Sequence, residues 1–87
     1  MQAEREKVIR LLKTARGQMD GILKMVEENR YCIDISNQLL ATESIIRKVN
    51  KEIIHAHMTH CVKDAIKNGD SDEKMDELFQ ILDKMSR

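Results

Sequence analysis

Between Cys32 and Asn68 the chain contains neither proline nor glycine, and its apolar residues never lose helical phase. Ile35, Leu39, Thr42, Ile46, Val49, Ile53 and Ala56 alternate spacings of four and three, the pattern of a helix that packs along one stripe. A helix of that length, about Cys32 to Asn68, dominates everything an 87-residue chain can build. Ile33, Ile45, Ile54 and Val62 carry its apolar surface onto other faces, more than two shorter helices of one protomer would cover. A second copy is the economical cover.

The rest of the chain supplies those two helices. Val8, Leu12, Ala15, Met19, Ile22 and Val26 repeat the same alternation, widened by Ile9, Leu11, Leu23 and Met25, and place helix one at about Ala3 to Glu28. It ends near Asn29, a residue that tolerates the left-handed conformation found just past helix ends. Gly17 and Gly21, four apart, share a face that a neighbouring helix could approach closely. Gly69 terminates helix two, and Asp70 with Glu73 reads as a capping box for a third helix carrying Met75, Leu78, Phe79, Leu82 and Met85. The fold class is all-α: three helices per protomer in one domain spanning residues 1–87, assembled as an antiparallel helical-bundle dimer.

Several function classes are excluded at this point. No apolar run reaches the 18 or so residues of a membrane span, and the charged opening MQAEREK lacks the apolar core of a signal peptide. A cytoplasmic protein without membrane association is expected. Enzymatic activity has no support, because no nucleophile motif or phosphate-binding glycine run is present. In the cytosol, two cysteines read as metal ligands or redox-active thiols before they read as a structural disulfide.

Both cysteines and all three histidines fall between Arg30 and Asp64. His57 and Cys61 are four apart, so they project from one helix face within reach of a single ion. His60 is rotated by roughly 100° from Cys61, and His55 by about 200° from His57; both read as solvated surface histidines. Cys32 cannot join His57 within its own chain, because 25 residues of helix at about 1.5 Å each separate them by nearly 38 Å. Two antiparallel copies of helix two, related by a two-fold axis near Ile45 and Ile46, would bring Cys32 of one subunit to His57 and Cys61 of the other. Two thiolates and one imidazole suit Cu(I), whereas Zn(II) would want a fourth group or water. Spacing alone leaves open that the two cysteines are simply small side chains packed in a helix interface.

At these residues the sequence resembles the copper-sensitive operon repressor (CsoR-like) family of metal-sensing bacterial transcriptional repressors, whose relatives also answer nickel or cobalt, formaldehyde and persulfides. The resemblance rests on ARGQMDGILKMVEENRYCIDI, on ISNQLLAT, and on Cys32, His57 and Cys61 at their separations. It implies a helical dimer, paired into a homotetramer, that binds operator DNA as apo-protein and releases it when the inducer fills an inter-subunit site. It also implies that Tyr31 and Glu77 are linked to the liganding histidine. Within the family, nickel and cobalt sensors replace the second cysteine by histidine, formaldehyde sensors lack that cysteine, and persulfide sensors lack the histidine. The set Cys32, His57 and Cys61 therefore implies Cu(I) as the inducer. Two other readings are a persulfide- or polysulfide-responsive repressor using the Cys32/Cys61 pair, and a copper-binding helical protein that never binds DNA.

The net charge is zero, so only the distribution of charge can attract nucleic acid. From Arg5 to Lys24 six basic residues face two acidic ones, while from Asp70 onward six acidic residues outnumber three basic ones. Without a helix-turn-helix or zinc-finger pattern, the DNA surface is expected on a basic face formed by Arg10, Lys13 and Arg16 of helix one and Arg47, Lys48 and Lys51 of helix two. Here the sequence departs from the family: Leu11, Thr14 and Arg16 stand in a stretch where relatives often carry more basic residues and an acidic one just before GQ.

Overall fold

The computed structural model describes residues 1–69 and 71–85, which form three helices: α1 (Arg5–Glu27), α2 (Cys32–Asn68) and α3 (Ser71–Met85). No strand occurs among the described residues, as the all-α reading expects. The helix ends follow from local chemistry. Asn29 adopts φ 55°, and the Asn29 and Arg30 amides donate to the carbonyls of Val26 (3.0 Å) and Met25 (2.9 Å). Those two bonds satisfy carbonyls that the last turn of α1 would otherwise leave open, and they turn the chain towards α2. The Tyr31 carbonyl then accepts the amides of Asp34 (3.1 Å) and Ile35 (3.2 Å), opening α2. Gly69, at φ 79°, ends that helix in the left-handed conformation that glycine adopts without penalty. The capping role expected of Asp70 lies outside the described residues.

The chain forms two compact units: Glu4–Lys51, and Met1–Ala3 with Glu52–Arg87. In the first, α1 packs on the first half of α2. Val8, Ala15 and Ile22 are buried in steps of seven, and Thr42 and Val49, also seven apart, are buried on α2. The second row of that seam is Leu11, Gln18 and Met25, each half-buried, rather than the expected Leu12, Met19 and Val26. A part-buried polar pair accounts for the choice: the buried Thr42 hydroxyl donates to half-buried Gln18 Oε1 at 2.8 Å, so position 18 faces α2. A buried hydroxyl is costly unless it is hydrogen-bonded. Leu12, Met19 and Val26 are left 46%, 54% and 57% exposed, and Leu39 and Ile46 of α2 are likewise exposed. One helix pair has a single line of contact, so half of the apolar pattern faces outwards.

Gly17 and Gly21 serve no close approach within this unit, since a Cβ at either would meet nothing within 4 Å. Gly21→Ala is therefore expected to raise stability by about 1 kcal/mol, the ordinary helix preference for Ala. Thermal unfolding of the purified chain tests this, and a loss of stability would mark a partner packed directly on that face.

In the second unit, the far half of α2 packs on α3. Cys61 and Leu78 are buried, and Ile53, Ile54, Ala56, Met58 and Ile81 are half-buried. Ile66, Met75, Phe79 and Leu82 remain exposed. Among the described residues no large side chain is completely buried, and no helix is long and apolar enough to cross a membrane.

Candidate metal centre

Helical periodicity puts His57 and Cys61 one turn apart on one face of α2, and the contact of His57 with Glu77 shows that this face meets α3. The imidazole Nε2 lies 3.3 Å from Cys61 Sγ, as the spacing of four predicts. From α3, Glu77 brings Oε1 to 3.1 Å from the same Nε2. One imidazole, one thiol and one carboxylate thus present donor atoms within 4.8 Å of one another. Cys61 is buried, while the side chains of His57 and Glu77 are 41% and 43% exposed, so the cluster has a closed side and a wet side.

The pairing has an electrical consequence. The hydrogen bond from His57 is the main influence holding the Glu77 carboxyl below its ordinary pKa; partial desolvation opposes it, and the Lys74 ammonium, 3.7 Å from Oε2, assists it. A carboxyl lowered by folding stabilises the folded chain above its unfolded pKa, and that contribution is lost as pH falls through the folded value. Replacing His57 by Ala is expected to move the Glu77 pKa upwards, towards the usual carboxylate value. Carboxyl NMR titration reads this directly; an unmoved pKa would assign the effect to Lys74.

Cys32 is not one of these three donors. It is exposed, at the first position of α2 in the other unit, and Tyr31 before it is exposed as well. The two histidines read as solvated, His55 and His60, are both exposed, and His60 also pairs with Asp64 at 3.1 Å across one turn. Lys74 escaped the sequence reading. Its only signal is a position three residues before Glu77, a spacing that is common on any charged helix.

Of the basic residues, Arg10, Lys13 and Arg16 are exposed on α1, and Arg10 and Lys13 line an open groove with Glu6, Ile9 and Thr14. Lys48 and Lys51 are exposed on α2. Arg47 differs: its Nε and Nη2 both donate to Glu43 Oε1, at 3.1 and 2.9 Å, so its charge is already paired.

Three helices that gather imidazole, thiol and carboxylate on one helix pair define a helical protein with a candidate transition-metal donor set. Comparison with known proteins narrows the class. Residues 4–84 match the family described as metal-sensitive transcriptional repressor, and the chain belongs to that family. It is a family of regulators, not of enzymes. The chain is 37% identical over 84 residues to the copper-sensing transcriptional repressor CsoR of Bacillus subtilis (strain 168), a match covering 97% of this chain and 83% of that protein. Among solved structures it is similar to the nickel-responsive transcriptional regulator InrS (TM-score 0.87, 28% identity, covering 98% of this chain and 96% of that one). It is also similar to the copper-sensing repressor CsoR with Cu(I) from Geobacillus thermodenitrificans NG80-2 (TM-score 0.85, 36% identity, covering 94% and 85%).

Proposed function

We propose that residues 1–87 act as one cytoplasmic metal-sensing and DNA-binding domain: a Cu(I)-responsive repressor that holds operator DNA as apo-protein. His57 and Cys61 of one subunit and the partner subunit's Cys32 would hold the ion, in a homodimer that pairs further into a homotetramer. The observation that carries this reading is the 3.3 Å approach of His57 Nε2 to Cys61 Sγ, a soft nitrogen and sulfur pair already in place in a chain of the repressor family. Cu(I) accepts low coordination numbers and prefers thiolate and imidazole, so one further thiolate completes its needs.

Each residue has a task in this scheme. Cys61, buried, supplies a thiolate shielded on one side, and until an ion takes its Nε2, His57 is held in place by Glu77, whose bond also links α2 to α3. Tyr31 directly precedes the incoming Cys32 and would contact the imidazole from the partner's side. The outward stripe of Leu12, Met19, Val26, Leu39 and Ile46 supports assembly, since burial against a second copy would remove its apolar area from water. Arg10, Lys13, Arg16, Lys48 and Lys51 would neutralise phosphates, with Arg47 a lesser contributor.

Release requires the metal-bound form to have lower DNA affinity, a coupling of at least about 1–3 kcal/mol. Titrating Cu(I) into the operator complex and following fluorescence anisotropy tests the reading. DNA affinity should fall as the sites fill, and unchanged affinity at full occupancy refutes it.

A further inference from the structure

We infer that His57, Cys61 and Glu77 of a single protomer constitute a second mode of metal binding, independent of Cys32 and fitted to a borderline divalent ion of the Zn(II) class. This rests on the same site as the Cu(I) reading but makes a separate demand on it: Glu77 becomes a ligand instead of a hydrogen-bond partner.

The geometry carries the step. Around a tetrahedral Zn(II), nitrogen and oxygen ligands at about 2.0–2.1 Å and sulfur at about 2.3 Å lie roughly 3.3–3.6 Å from one another. Two edges of that figure are already close to this size, Sγ to Nε2 at 3.3 Å and Nε2 to Oε1 at 3.1 Å, and the three donor atoms lie within 4.8 Å of one another. The remaining edge, Sγ to the carboxylate, is no longer than 4.8 Å, and Glu77, half-exposed and held by His57 and Lys74, would turn to close it. Exposure on that side leaves the fourth position to water. All three residues belong to the unit containing Glu52–Arg87, so one chain is sufficient.

Ligand chemistry separates the two modes. A carboxylate is a hard donor that suits a divalent ion and serves Cu(I) poorly, while a second thiolate suits Cu(I). His57 Nε2 cannot both coordinate an ion and donate its proton to Glu77. A divalent ion on Nε2 therefore displaces the Nε2–H···Oε1 bond, takes the carboxylate as its own ligand, and leaves the partner's Cys32 free. The His57 and Cys61 pair thus sorts ions by the further donors it recruits, Glu77 with water for a divalent ion or the partner's Cys32 for Cu(I).

Co(II), a spectroscopic probe for such sites, tests the proposal on the full-length reduced chain under anaerobic conditions. Wild type should develop a thiolate-to-Co(II) charge-transfer band and the intense visible absorption of four-coordination. Cys32→Ala should keep both that spectrum and its affinity. Glu77→Gln, which retains an acceptor oxygen for the imidazole but is a poor ligand, should bind Co(II) at least about tenfold more weakly, with circular dichroism confirming its helices. A Cys32→Ala variant that loses the Co(II) spectrum, or a Glu77→Gln variant with wild-type Co(II) affinity and spectrum, overturns the proposal. Cu(I) titration of Cys32→Ala judges the inter-subunit reading separately: weakened binding supports it and wild-type binding refutes it, whatever the Co(II) spectra show.

Discussion

Mixing two variants that each fail to respond to Cu(I) is expected to restore about one quarter of the wild-type sites, as random pairing in a two-fold dimer dictates. Cys32→Ala removes the donor that a subunit offers to its partner. The double substitution His57→Ala with Cys61→Ala removes the pair that waits to receive it. Each variant alone should lose Cu(I) affinity by about a hundredfold or more, given that loss of an outer hydrogen-bonding partner alone typically costs 10- to 100-fold. When the two are unfolded together and refolded, about half of the dimers are mixed, and each mixed dimer holds one site with all its donors and one with none. Sites built within one chain would yield no recovery at all, because neither variant contains a complete set. The readout is the stoichiometry of tight Cu(I) binding, followed by release of labelled operator. Zero recovery from a mixture shown to contain mixed dimers would eliminate the inter-subunit arrangement.

Helix existence and limits were largely legible because the strongest signals were local. Periodicity marked all three helices, Asn29 adopts the left-handed conformation its side chain tolerates, and Gly69 ends α2. The choice between contact rows was not legible. Positions 11, 18 and 25 lie only one residue from 12, 19 and 26, and hydrophobicity favours the latter, since Met19 is apolar and Gln18 is not. What decides is a hydrogen bond between Gln18 and Thr42, 24 residues apart, a tertiary fact that no helical period contains. The candidate site divides the same way. His57 and Cys61 follow from a spacing of four on one helix, whereas Glu77 comes from another helix across a turn and looks like any acidic residue of α3, so only the family resemblance singles it out. Lys74 is hidden for that reason too. Pairing also changes the reading of the basic residues: Arg10 and Arg47 are equal as letters, yet Arg47 forks onto Glu43.

That difference sets the second large effect. Arg10→Ala with Lys13→Ala is expected to weaken operator binding by about two to three orders of magnitude at low salt, at about 1 kcal/mol for each of roughly four phosphates no longer neutralised across two DNA-facing protomers. The same change should make the dependence of log affinity on log salt shallower by about 3.6, since each phosphate left without its cation removes about 0.9 from the slope. Arg47→Ala should do much less, because Arg47 must surrender Glu43 before it can serve a phosphate, and the exchange returns little. Lys84 lies in the last turn of α3, a helix that also carries Asp72, Glu73, Asp76 and Glu77, and its replacement by Ala should leave the slope as it was. Anisotropy titrations of all three variants across a salt series separate these outcomes. If Arg10→Ala with Lys13→Ala leaves the slope unchanged, α1 does not face the phosphates. If Arg47→Ala matches it, DNA breaks the Glu43 pair and the middle of α2 lies at the centre of the interface. Either result moves the basic surface to a different face of the bundle while leaving the His57 and Cys61 pair where it is, because that pair is set by the α2 helix and by Glu77, independently of the DNA.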